Sequence, residues 1–182
     1  MKILHTSDVH LVAEGDQRWD ALVEVVSHAG QESADALVIS GDLFDSDADA
    51  EALRIPLRTI FEKVSFDTLI IPGNHDANSY AAGLYFGERV HILANTEWSK
   101  NVFETEDSRF IGVPFEAIDS QAFQQRLRDL RDLIDPDRVN ILLYHGELLD
   151  ASFDRGEFGL KNQGGICPAG YHFSTNWALT MC

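Results

Sequence analysis

The stretch TLIIPGNHD, residues 68–76, sets an apolar run of strand length against a tight polar turn. Leu69, Ile70 and Ile71 do not alternate with polar residues, which is the pattern of a strand buried on both faces, and Pro72 and Gly73 end it. Asn74, His75 and Asp76 follow at once. Gly, Asn and Asp all favour turns, but a histidine placed between them directly after the strand is less easily explained that way.

The same arrangement recurs along the chain. KIL leads into SDVH (Asp8, His10), ALVIS into GDLFD (Asp42, Asp45), and VNILLY into HGE (His145). Each polar cluster falls at the carboxyl end of an expected parallel strand, the edge where open α/β sheets build their ligand sites. Spacers with a helical period join these runs. Leu22, Val25, Val26 and Ala29 recur at i, i+3, i+4, i+7 within Arg18–Ser33, and Phe123, Leu127, Leu130 and Ile134 do so within Asp119–Ile134, where Asp119 fits an N-cap. Between Val90 and Val113 the pieces VHIL, NVFET and RFIGV predict a second, more antiparallel sheet. The expected body is α/β, two sheets covered by helices.

Composition narrows the function. The 182 residues suffice for one domain with a real core, and 45% hydrophobic with 24% charged residues reads as soluble and globular. No apolar run approaches the roughly 20 residues of a membrane span, and MKILHTSD enters a strand pattern at once, so the expectation is a cytoplasmic protein without a signal peptide or membrane contact. Cys167 and Cys182 cannot staple the body and are expected reduced. A net charge of −16 argues against a broad basic nucleic-acid surface.

Asp8 and His10 are two apart in extended chain and can point to one ion. Gly41 and Gly73 each precede a candidate ligand and let the backbone turn sharply there. Carboxylates, an amide oxygen and imidazoles form a donor set of intermediate hardness, suited to manganese, iron or zinc more than to calcium. A carboxylate able to bridge two ions, as Asp42 could, gives the closely spaced pair used for in-line displacement at phosphorus. That arrangement points to phosphoester hydrolysis, and no G-x-S-x-G elbow or P-loop suggests another mechanism.

The ordered set D-x-H, G-D, G-N-H-D and a later strand-end His resembles the calcineurin-like metallophosphoesterase superfamily over residues 1 to about 159. ILHTSDVHL and LLYHGELLDASF are most similar to its DNA repair exonuclease branch. The resemblance implies a two-sheet α/β/β/α sandwich lacking its last strands, two divalent ions with Mn2+ foremost and Fe or Zn as alternatives, a DNA substrate and a partner ATPase. It further implies that Asp8 and His10 hold the first ion, that Asp42 bridges, and that Asn74 and His145 hold the second. His75 would be the catalytic imidazole and Asp76 would orient it.

Other residues read more plainly. Asp45, Asp47 and Asp49 fit the start of the next helix, where its dipole favours acids, and are left out of the site. His5, His28, His91 and His172 read as structural or incidental, and Arg126, Arg128, Arg131 and Arg138, interleaved with acids, as a salt-linked face. Two features point away from a complete enzyme. The Gly-His-x-His that completes the site in the resembled family does not follow His145, so a metal-poor scaffold of the same fold is the alternative, as is a small-molecule phosphoesterase. From Leu160 onward there is one Lys and no Asp, Glu or Arg, and both cysteines fall there. Residues 160–182 are therefore expected to be an aberrant, poorly packed tail read in a shifted frame: one base earlier, WALTMC must give Leu at Trp177, Gly at Ala178 and Val at Cys182, and can read LGFDHV.

Overall fold

The computed structural model describes residues 1–80, 84–118, 120–146 and 177–180. Strands β1 (Ile3–Thr6), β2 (Ala36–Ser40), β3 (Asp67–Ile71) and β4 (Val90–Ile92) lie side by side in that order, all parallel. The second sheet runs β5 (Val102–Glu104), β6 (Ser108–Val113), β7 (Val139–Tyr144) and β8 (Trp177–Thr180). β5 pairs antiparallel with β6, while β6–β7 and β7–β8 are parallel.

Alternation along the strands sorts the layers. On β2, Leu37 and Ile39 face helices α1 (Gln17–Gln31) and α2 (Asp47–Phe61), in a cluster with Leu22, Leu53, Leu57 and Phe61. The opposite face, Ala36 and Val38 with Leu69 and Ile71, meets Phe110, Ile141 and Leu143 of the second sheet. The outer face of that sheet, Ile111, Val113 and Leu142, packs on Phe123 of α3 (Ser120–Asp129) and on Leu130 of the 3-10 turn that continues it. The order of layers is α/β/β/α, as the sequence predicts. Each fully buried leucine, isoleucine or phenylalanine here contributes about 1.5–3 kcal/mol of transfer free energy, which makes the two-sided strands the rigid base of the molecule.

Three details depart from the sequence reading. VHIL joins the first sheet, not the second: Val90–Ile92 pairs in parallel with Thr68–Ile70, and Leu93 then enters the core between the sheets. Three residues are too few for a period to assign a sheet. The second sheet is mixed instead of mainly antiparallel. The tail supplies β8, where no ordered strand was expected; the rest of residues 147–182 and the Asp119 cap lie outside the described residues. Ser46 caps α2 by accepting the Asp49 N–H, with Asp47 and Asp49 in the first turn.

Candidate metal centre

The loops that leave β1 and β2 are zipped together by their backbones. Asp8 N–H donates to the Gly41 carbonyl at 3.1 Å, His10 N–H to the Asp42 carbonyl at 2.9 Å and Leu11 N–H to the Leu43 carbonyl at 2.9 Å. This register fixes Asp8 and His10 beside Asp42. Asp8, His10 and Asp42 all have φ of 51°, the left-handed region that Asp and His tolerate better than most residues. Such conformations are costly and persist only where surrounding contacts enforce them.

The GNHD loop is tied to the same place. His75 N–H donates to Asp42 Oδ1 at 2.9 Å. The fully buried Asp76 accepts the Gly73 N–H at 2.8 Å, the Phe44 N–H at 3.2 Å and the Tyr80 hydroxyl at 2.8 Å. Burial raises its pKa above the ordinary carboxylate value, and the charge of Asp42 adds to the rise against the pull of those donors. Asp76 thus ties the backbone just before His75, at Gly73, to the Phe44 N–H of the preceding loop and to the Tyr80 hydroxyl.

Close approach leaves no room for side chains at two turns. A Cβ on Gly73 would overlap the Asp42 carboxylate, and one on Gly41, whose φ is +89°, would overlap the His145 ring. The glycines are therefore required by the close packing of Asp42 and His145 against these turns.

Asp42 is the hub. Its Oδ2 lies 3.4 Å from His145 Nε2 and 3.8 Å from His10 Nε2, and Asn74 Oδ1 lies 3.3 Å from His145 Nε2. His145 Nδ1 meets the Ser40 carbonyl at 2.9 Å; a carbonyl only accepts, so Nδ1 carries the proton and Nε2 is turned inward. Burial alone would lower the His145 pKa, but the Asp42 hydrogen bond, the Ser40 carbonyl and the charges of Asp42 and Asp8 raise it above the ordinary imidazole value. Burial likewise pushes Asp42 up, and His145 with the His75 N–H more than reverses this. Facing oxygens around one inward nitrogen call for a positive charge between them, a proton or a cation.

Among the described residues, two triplets of donors have all their donor atoms within 4.8 Å of one another: Asp8, Asp42 and His145, and His10, Asp45 and His75. Buried hub, exposed Asp8 and inward Nε2 atoms fit a divalent ion.

A model of the calcineurin-like phosphoesterase family matches residues 1–166. The chain belongs to that family. Among its relatives are a subunit of the nuclease SbcCD of Staphylococcus epidermidis, 27% identical over 173 residues with 80% of this chain and 46% of the relative covered, and its counterpart in Staphylococcus saprophyticus, 26% identical over 175 residues with the same coverage. The chain spans about half the length of these curated relatives. The crystal structure of Pseudomonas putida nuclease MPE aligns with 98% of this chain and 79% of its own at 17% identity and a TM-score of 0.43.

Asp8, His10, Asp42, Asn74 and His75 lie in the loops that follow β1, β2 and β3 of the first sheet, and His145, which follows β7 of the second, meets Asp42 and Asn74 there. Asp45, set aside from the sequence, is beside them: its Oδ1 is 3.4 Å from His10 Nδ1. Its signal was the second acid of GDLFD, three residues after the hub. Of the other histidines, His5 lies in β1, His28 in α1, and His91 in β4, 3.0 Å from Asp67; His172 lies outside the described residues. Arg126 pairs with Glu116, and Arg138 with Glu104 and Asp135, a salt-linked face. Among the described residues no helix is long and apolar enough to cross a membrane.

Proposed function

We propose that this chain is a two-metal phosphodiesterase acting on DNA. The observation that carries the reading is the convergence of the His10 and His145 Nε2 atoms on one buried carboxylate, Asp42. In this reading Asp8 and His10 hold one divalent ion, Asn74 and His145 the other, and Asp42 both, with Mn2+ the first choice and Fe or Zn alternatives. Bound ions would polarise a phosphoryl oxygen and supply a nucleophile from water at neutral pH.

The chain's own groups do the rest. His75 is tied by its N–H to Asp42, stands edge-on to His10 with ring centroids 4.7 Å apart, and is exposed, so its imidazole is free to hold or pass a proton at the leaving oxygen. A nucleic-acid substrate is supported by the nuclease named for the SbcCD relatives, while DNA in particular and an ATPase partner are what the resemblance to the DNA repair exonuclease branch implies. The net charge of −16 argues against a broad basic surface, and cations held at the centre would give a polyanion a local attraction. Hydrolysis of single-stranded DNA compared with a nitrophenyl phosphodiester, each with Mn2+ and with EDTA, tests this: faster, chelator-sensitive DNA cleavage supports it, and no cleavage of either sinks it.

One sequence observation favours a second reading. Between His145 and Cys182 there is no Gly-His-x-His, and a centre formed by these residues alone would hold metal poorly, giving a scaffold. Loss of merely supporting groups already costs on the order of 10 to 100-fold in affinity. Metal content of the purified chain separates the two readings. We infer also that residues 1–159 are the catalytic body and that the segment from Leu160 is read in a shifted frame.

A further inference from the structure

We propose that Asp45, held by Arg18, is the positioning carboxylate that fixes the ring of His10. The proposal rests on the reading of His10 as a ligand given above. His10 and His145 both turn Nε2 toward Asp42, at 3.8 and 3.4 Å. A ligating imidazole needs its other nitrogen protonated and anchored, since this fixes both the tautomer and the direction of the lone pair. His145 has its anchor in the Ser40 carbonyl, 2.9 Å from Nδ1. His10 Nδ1 is buried and makes no hydrogen bond, and the acceptor that faces it is Asp45 Oδ1 at 3.4 Å. A modest shift of that carboxylate completes the bond.

Arg18 sets where Asp45 sits. Its NH1 donates to the His10 carbonyl at 2.6 Å and lies 3.5 Å from Asp45 Oδ1, so one guanidinium nitrogen ties the backbone of His10 to the carboxylate facing its ring. The Asp45 N–H adds a bond to the Leu11 carbonyl at 3.2 Å. These contacts bracket a residue whose φ of 51° must be enforced from outside. Helix capping does not account for Asp45, because Ser46 caps α2 and Asp47 and Asp49 occupy its first turn. Direct ligation by Asp45 is the competing reading, since Asp45, His10 and His75 form a donor triplet. That reading would use Nδ1, the nitrogen on the far side of the ring from Asp42.

The two are separated by the His10 tautomer in the metal-free protein, read by long-range 15N–1H NMR at about pH 8, above the ordinary imidazole value of ~6.5, with His10→Gln to assign the signal. Asp45 and Arg18 are 46% and 50% exposed, so their variants are expected to fold, and circular dichroism checks it. The proposal expects Nδ1–H in the wild type, a shift toward Nε2–H in Asp45→Ala and Arg18→Ala, and retention of Nδ1–H in Asp45→Asn, whose amide oxygen still accepts. Mn2+ affinity should fall about 10 to 100-fold in Asp45→Ala and recover in Asp45→Asn. An unchanged tautomer in Asp45→Ala overturns the proposal, as does Mn2+ affinity lost equally in Asp45→Asn and Asp45→Ala. A wild type that takes up no Mn2+ sinks the metal reading alone, because the tautomer still decides the Asp45 contact.

Discussion

Asp42 Oδ1 accepts the backbone N–H of His75 at 2.9 Å. The carboxylate proposed to bridge the ions therefore also sets the position of the imidazole proposed to do the proton transfer, and the two functions should separate on mutation. His75→Ala leaves that backbone bond and every proposed ligand in place, so metal uptake should persist while kcat falls by about 10²–10⁴-fold. Asp42→Ala should lose both. Metal analysis run beside the rate measurement checks this; normal turnover in His75→Ala removes it from the chemistry.

The Asp42–His145 pair makes the metal-free protein sensitive to pH in a defined direction. His145 has its folded pKa raised, so its contribution is fully present below the unfolded value of ~6.5 and is lost as pH rises through the folded value. Asp42 has its folded pKa lowered, so its contribution is present above ~3.9 and is lost as pH falls through the folded value. The stability advantage of metal-free wild type over His145→Gln should shrink from about pH 6.5 upward. Urea unfolding at several pH values with chelator present measures it; an advantage that grows over that range contradicts the assignment.

Asp76 and Tyr80 hold the GNHD loop to the GDLF loop from within the core. Tyr80→Phe removes one donor to a buried carboxylate and should cost about 1–3 kcal/mol; Asp76→Ala strands three donors and should cost roughly 3 kcal/mol or more. The measurement is chemical denaturation of both variants. If Asp76→Ala is as stable as wild type, the tie does not support the loop.

The architecture was legible because continuous apolar runs mark strands buried on both faces, and β2 and β3 show how few residues that takes. The residues proposed as ligands stand out in the sequence for a related reason, since they follow those runs directly. Val90–Ile92 was misplaced because three residues carry no period, and the sheet it joins is settled by Leu93 packing across the chain. Asp45 was missed because its partners, His10 and Arg18, are remote in sequence and reach it only through the backbone zipper between the two loops. Asp76 has an evident place in the motif, but two of its three donors come from Phe44 and Tyr80, which nothing in GNHD announces.

The shifted-frame proposal concerns the gene. Reading one base earlier forces Leu, Gly and Val at Trp177, Ala178 and Cys182, and in that frame the gene should encode a Gly-His-x-His within about ten codons after Cys182. Sequencing the DNA downstream decides it, and an uninterrupted non-matching frame ends the proposal.

The centre itself is tested most directly by Mn2+ stoichiometry on the purified chain and on Asp42→Ala, both stripped with EDTA and then reloaded. A bridging Asp42 requires about two ions per wild-type chain and close to none in the variant. Equal uptake by the two proteins would contradict a metal centre built on Asp42.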